Sequence, residues 1–261
     1  MVYKVFIMVM LGVFMTKPSQ AQDFSAYQKE WLIQGPDTLP YRILLPLHFE
    51  ASKRYPLVLF LHGSGERGRD NEKQLTHGSQ LFLADSNRQR FPAIVVFPQC
   101  ADSSYWSNVQ ITRDTSGGRT FNFQEGGAPT RPMAMVENLL EELQGQYKIK
   151  SDQVYVMGLS MGGMGTFELV RRHPDLFAAA IPICGGANTA TAPQLKRLPW
   201  WVFHGAKDNV VPPRHSEEMV AALKAQGASV TFTVYPEAGH NSWDSAFAEP
   251  DLLSWLFAQH K

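Results

Sequence analysis

Residues able to do chemistry concentrate in a few short segments. The pattern Gly158-Leu159-Ser160-Met161-Gly162 follows the apolar run Val154-Tyr155-Val156-Met157 and opens a stretch of helical periodicity from Met161 to Arg172. A serine on a sharp strand-to-helix turn is held clear of the sheet, and glycines two residues before and after it relieve the crowding of that turn. Its hydroxyl is a poor nucleophile until a neighbour takes the proton, and imidazole is the side chain suited to that near neutral pH. His240, in Gly239-His240-Asn241-Ser242-Trp243, follows both the serine and a suitable acid along the chain, the order serine, acid, histidine. The acid is Asp208, in His204-Gly205-Ala206-Lys207-Asp208, which would fix the imidazole tautomer and stabilise the imidazolium. Asp244 and Glu237 lie nearer to His240 in sequence and stand as reserves.

A second glycine-rich turn, His62-Gly63-Ser64-Gly65-Glu66-Arg67-Gly68, leaves the apolar run Leu57-Val58-Leu59-Phe60-Leu61. Backbone amides converging there would stabilise an oxyanion, and the expected donors are the amides of Ser64 and Met161. A phosphate-cradling role is disfavoured, because no Gly-Lys-Ser/Thr follows. His62 and His204 each precede a glycine at a strand end and read as structural, and His173 reads as a helix C-cap. Trp106 and Trp243 are candidate walls of a substrate pocket, with core or rim packing as their alternative role. No closely spaced ligand set suggests a metal, and the chemistry requires no cofactor.

These residues need a scaffold that brings distant loops to one edge. The segments 30–34 and 39–46, separated by Gly35-Pro36-Asp37, read as an opening antiparallel hairpin. Continuous apolar runs at 57–61, 93–98, 154–157, 178–183, 200–203 and 230–235 read as strands, most of them buried on both faces. Helices are expected at 71–84, 130–147, 161–172, 214–226 and 252–260; Thr130 suits a cap and Pro132 a first turn. Strand-helix alternation over residues 22–261 implies one domain built on a mostly parallel sheet covered on both faces. Residues 105–131 break the rhythm: Val109 and Ile111, then Phe121 and Phe123, alternate with polar residues around Ser116-Gly117-Gly118. That predicts an inserted β-hairpin close to the binding cleft.

Composition narrows the classes. With 24 Lys+Arg against 24 Asp+Glu, the chain has no net pull toward nucleic acid or an anionic membrane. Hydrophobic residues at 44% and charged residues at 18% exclude a disordered chain. Residues 1–21 read as a signal peptide, with Lys4, an apolar run at 5–15, and Ser19 and Ala21 at the −3 and −1 positions of a cut. The mature protein is therefore expected in the periplasm or outside the cell, without stable membrane insertion. An oxidising compartment raises the pairing of Cys100 with Cys184, but each closes a different strand, and two separate core thiols are favoured.

Together, Leu61 to Gly68, Gly158 to Gly163, His204 to Asp208 and Gly239 to Trp243 resemble the α/β-hydrolase superfamily. More narrowly, they resemble secreted bacterial prolyl-oligopeptidase-like and dienelactone-hydrolase-like esterases. The resemblance spans nearly the whole mature chain. It implies an α/β-hydrolase fold of roughly eight strands and catalytic roles for Ser160, Asp208 and His240. The implied activity is hydrolysis of carboxylic esters, on small molecules or on acetyl or feruloyl groups of polysaccharides. Peptidase action is the enzymatic alternative, and a catalytically silent binding protein is the alternative of another class. Nothing in the pattern fixes an oligomeric state.

Overall fold

The computed structural model describes residues 23–261 apart from 114, 116 and 117. The signal peptide expected at 1–21 lies outside the described residues, as does most of the turn Ser116-Gly117-Gly118. Along the chain run β1 (Tyr27–Gln34), β2 (Asp37–Leu44), β3 (Tyr55–Leu61), α1 (Ser79–Leu83), α2 (Asp85–Arg90) and β4 (Ile94–Pro98). Then come β5 (Val109–Arg113), β6 (Arg119–Phe123), α3 (Arg131–Gln146), β7 (Ile149–Leu159), α4 (Met161–Arg172), β8 (Ala179–Ile183) and α5 (Ala192–Leu195). The chain closes with β9 (Trp200–Gly205), α6 (Arg214–Ala225), β10 (Val230–Tyr235), α7 (Trp243–Phe247) and α8 (Leu252–Phe257).

Eight strands form one sheet in the order β1-β2-β4-β3-β7-β8-β9-β10. The pairings β1–β2 and β2–β4 are antiparallel and all others parallel, so the carboxyl ends of β3, β4, β7, β8, β9 and β10 share one edge. Side chains alternate across the sheet. Leu57, Leu59 and Leu61 pack with Val136, Leu139 and Leu143 of α3 and with Phe167 of α4, whereas Val58 and Phe60 pack with Phe82, Ala246 and Leu252 on the other face. This two-sided burial explains why the central strands are apolar without interruption. At the start of α3, Thr130 Oγ1 accepts the Met133 amide at 3.3 Å and Pro132 fills the first turn. Among the described residues no helix is long and apolar enough to cross a membrane.

Two expected helices are corrected. Segment 71–84 is not one helix: a 3-10 turn at Lys73–Leu75 is followed by the short α1. Asn71 (φ +56°) and Gly78 (φ +80°) both take left-handed backbone, which no continuous helix accommodates. A Cβ on Gly78 would also stand 2.6 Å from the Phe60 ring. The last helix stops at Phe257 instead of reaching His260, because the chain end turns onto β7. There the Tyr155 hydroxyl donates to Gln259 O at 2.8 Å and the Lys261 amide donates to Asp152 O at 3.1 Å. Cys100 and Cys184 are both buried free thiols. They follow β4 and β8, which are three positions apart in the sheet, about 14 Å at strand spacing and beyond disulfide reach.

Candidate active site

Ser160 stands between β7 and α4 with φ +53° and ψ −116°, a strained backbone that lifts its side chain off the sheet. The turn is stapled sideways by the Ser160 amide, which donates to Ile183 O of β8 at 2.8 Å. Sterics fix its glycines. A Cβ on Gly158 would lie 2.3 Å from Gly162 O, and one on Gly162 would lie 1.8 Å from Leu61 O. The same closeness presses the turn after β3 against the elbow.

The structure brings Ser160, Asp208 and His240 together. Ser160 Oγ lies 2.9 Å from His240 Nε2, and His240 Nδ1 lies 2.8 Å from Asp208 Oδ2. Asp208 leaves β9 and His240 follows β10. The two loops meet because Gly205 has no side chain: a Cβ there would stand 2.2 Å from Gly239 O. Asp208 Oδ1 accepts the amides of Val210 and Val211 at 2.8 and 3.0 Å. Burial acts to raise its pKa, but the bonds from His204, His240 and the Val211 amide outweigh it and hold the carboxyl well below the usual range. An ionised carboxylate at Nδ1 places the imidazole hydrogen there and leaves Nε2 free to accept the serine proton. The reserve acids are occupied elsewhere: Glu237 pairs with Lys207, and Asp244 accepts from Asn241 at 3.3 Å.

Met161 is the first residue of α4, whose opening amides have no acceptor within the helix. Ser64 lies on the turn packed against the elbow, since a Cβ on Gly63 would meet the Leu159 side chain at 2.8 Å. Arg67 ties that turn down, donating from Nε to Ser64 O at 2.9 Å and from Nη1 to Ser104 O at 3.2 Å. Beneath it, His62 Nε2 accepts the Cys100 amide at 2.9 Å while Nδ1 donates to Gly63 O at 2.6 Å.

The two tryptophans part company. Trp243 is half-buried and edge-on to the His240 ring at 5.3 Å. Trp106, expected at a pocket wall, is a fully buried core residue whose indole N–H donates to His62 O at 3.0 Å. Gly165 of α4 makes room for it, since a Cβ there would stand 2.5 Å from Trp106 Cβ. The hairpin β5–β6 reaches the site from above: Phe121 packs against Met164, four residues past the serine, and Val211, three past the acid. Between the hairpin and the turn that carries Arg67 lies a cavity of about 400 Å³ lined by Arg67, Ser104, Tyr105, Val109 and Ile111.

Two neighbours escaped the sequence reading. His204 Nε2 faces both Val211 O at 2.9 Å and Asp208 Oδ2 at 3.2 Å, so a second imidazole touches the acid. Its spacing of four residues before Asp208 was the available signal. Cys184 (φ +42°) offers its thiol within 4.8 Å of ligand atoms of Asp208 and His240. Burial pushes its pKa up, and both His240 nitrogens are already engaged, so this donor set does not fit a resident metal ion.

Comparison with known proteins gives the family and the fold. The family model Esterase matches residues 36–250. The chain belongs to the esterase family. A solved thermostable esterase is 32% identical and superposes with a TM-score of 0.81, covering 91% of this chain and 64% of that one. The bifunctional acetylxylan esterase/xylanase of Neocallimastix patriciarum is 28% identical over 157 residues, 60% of this chain and 20% of its own length. Feruloyl esterase B of Thermothelomyces thermophilus is 26% identical over 220 residues, 70% of this chain and 69% of that one. The chain thus spans a fifth of the bifunctional relative and under two thirds of the thermostable esterase. The fold is that of the α/β hydrolases.

Proposed function

We propose that the protein is a serine esterase that cleaves carboxylic esters through an acyl-enzyme, with acetyl or feruloyl groups of polysaccharides as the substrate class. The observation that carries this reading is the continuous chain Ser160 Oγ to His240 Nε2 to His240 Nδ1 to Asp208 Oδ2, at 2.9 and 2.8 Å. Ser160 attacks the ester carbonyl as His240 takes its proton, and Asp208 holds the imidazolium in place. The carbonyl oxygen becomes an oxyanion facing the amides of Ser64 and Met161, where loss of one donor would cost about 3–4 kcal/mol of barrier. His240 returns the proton to the departing alcohol. Water then enters, loses its proton to His240, and releases the acid from Ser160. Trp243 walls the site beside the base, and no cofactor takes part in these steps. The similarity to the acetylxylan and feruloyl esterases supports the polysaccharide esters. The leader reading of residues 1–21 supports an extracytoplasmic location, which N-terminal sequencing of exported protein checks by a start at Gln22.

Purified protein and its Ser160→Ala variant, matched by thermal melting, test the reading on p-nitrophenyl acetate, methyl ferulate, acetylated xylan and a proline amide. Ester turnover and fluorophosphonate labelling should both vanish in the variant. Faster cleavage of the amide than of every ester would install a peptidase in its place, and turnover surviving in the variant would remove Ser160 as nucleophile.

A further inference from the structure

A second cavity, also about 400 Å³, lies at the same edge of the sheet but on its far side from His240. Because β2 runs antiparallel to β4, its first residues sit at the carboxyl end of β4, where the Gln99 amide donates to Pro40 O at 2.8 Å. Trp31 of β1 is opposite Pro40 and is 50% exposed. Among the described residues its indole N–H has no hydrogen-bond partner and no ring packs on it. The same cavity is lined by Arg69, an exposed guanidinium without an ion pair among the described residues. Ser103 and Ser104 line both this cavity and the one beside Arg67, so the two adjoin at those serines and together make up a trough along this edge.

The chemistry of the trough is mixed. A flat aromatic face stands beside hydroxyls and a planar five-donor fork, which does not suit a long acyl chain but suits a sugar ring. The C–H face of a sugar stacks on the indole while its hydroxyls accept from the guanidinium. The position adds length. Trp31 lies four strands from the strand that carries Ser160, about 19 Å at strand spacing, the reach of an oligosaccharide and not of a monosaccharide ester.

We propose that this trough is a carbohydrate-binding subsite, in which Trp31 and Arg69 hold the main chain of an acylated polysaccharide while its ester lies at Ser160. The proposal rests on the esterase reading for the ester, and on the trough alone for the sugar.

Trp31→Ala and Arg69→Ala touch none of the reacting groups, and both side chains are exposed. Each variant should turn over p-nitrophenyl acetate like the unaltered protein. On acetylated xylan, kcat/KM should fall about tenfold for Trp31→Ala, carried by KM, which is the loss of one stacking contact. Short acetylated disaccharides, which cannot span the trough, should be unaffected. Deacetylated xylan should retard Ser160→Ala protein in affinity electrophoresis but not the Ser160→Ala, Trp31→Ala double variant. That binding needs no turnover, so it judges the subsite even if Ser160 proves not to be the nucleophile. Equal retardation of both proteins overturns the proposal, as does an equal fall on the small and polymeric esters. A Trp31 effect confined to extended peptide esters would give the trough to a peptide and overturn it too.

Discussion

Asp208 Oδ2 lies 3.2 Å from His204 Nε2, so the candidate acid is braced by the imidazole of the strand it leaves as well as by His240. His204 Nε2 faces two acceptors, Asp208 and Val211 O, and therefore carries a hydrogen; Nδ1 lies 2.7 Å from the Ser216 hydroxyl, which itself donates to Gly185 O at 3.0 Å. His204 is fully buried and touches no part of the open site, which makes it a positioning residue. His204→Phe should lower kcat by about tenfold to a hundredfold with KM nearly unchanged, well short of the roughly 10⁴-fold expected for Asp208→Asn. A matching rise in KM on small esters would mean that the whole site had shifted instead.

Two glycines, one in the elbow and one in α3, carry opposite predictions. Gly162→Ala would drive a methyl group to 1.8 Å from Leu61 O and 2.8 Å from His62 O, both backbone atoms. Its cost should exceed about 4 kcal/mol in urea unfolding, or the chain should fail to fold. Gly145, in α3, has nothing within 4 Å of an added Cβ. Gly145→Ala should therefore stabilise the protein by about 0.5–1 kcal/mol, by reducing the freedom of the unfolded chain.

The elbow could be read from sequence because its requirement is local: a strained serine needs bare neighbours two residues away on either side. The central strands were equally legible, since β3, β4 and β8 are buried along their whole length and admit no polar break. What escaped was set by contacts distant in the chain. Trp106 sits on a polar stretch that looks exposed, and only Gly165 and His62 O, on other elements, draw it inside. The bends at Asn71 and Gly78 likewise answer to tertiary partners: Asn71 Nδ2 donates to Glu30 O at 3.0 Å, and Gly78 skirts the Phe60 ring. The closeness of Cys184 to the triad arises from β8 lying between β7 and β9, an order that no single segment announces.

Acid should weaken the fold through His62 before it reaches Asp208. Burial, aided by Arg67, pushes the His62 pKa down to about 4, against the opposing pull of Gly63 O, and protonation would set an N–H against the Cys100 amide. A base with a lowered pKa favours the fold fully above its unfolded value of about 6.5 and loses that contribution as pH falls toward 4. The loss should approach about 3 kcal/mol over that interval, with His215, also lowered by burial, adding in the same sense. Asp208, whose pKa is lowered, keeps its contribution until pH falls below the ordinary carboxylate range. Urea midpoints from pH 7 to 4.5 should therefore fall less steeply in His62→Gln than in the unaltered protein. Equal slopes would exclude His62 as the source.

Both thiols should be silent in the folded protein. Burial pushes the Cys100 pKa up to about 12 and raises that of Cys184 as well, so thiolate, the reactive form, is scarce at neutral pH. Cys184 is also fully buried, its thiol within 4.8 Å of ligand atoms of Asp208 and His240. An aromatic disulfide reagent should find no thiol in native protein at pH 8, and two per chain after unfolding without reductant. Finding none after unfolding would mean that the cysteines had paired, and the β4 to β8 separation forbids that within this fold. Rapid native labelling that abolishes ester turnover would show instead that the floor of the site opens to solvent.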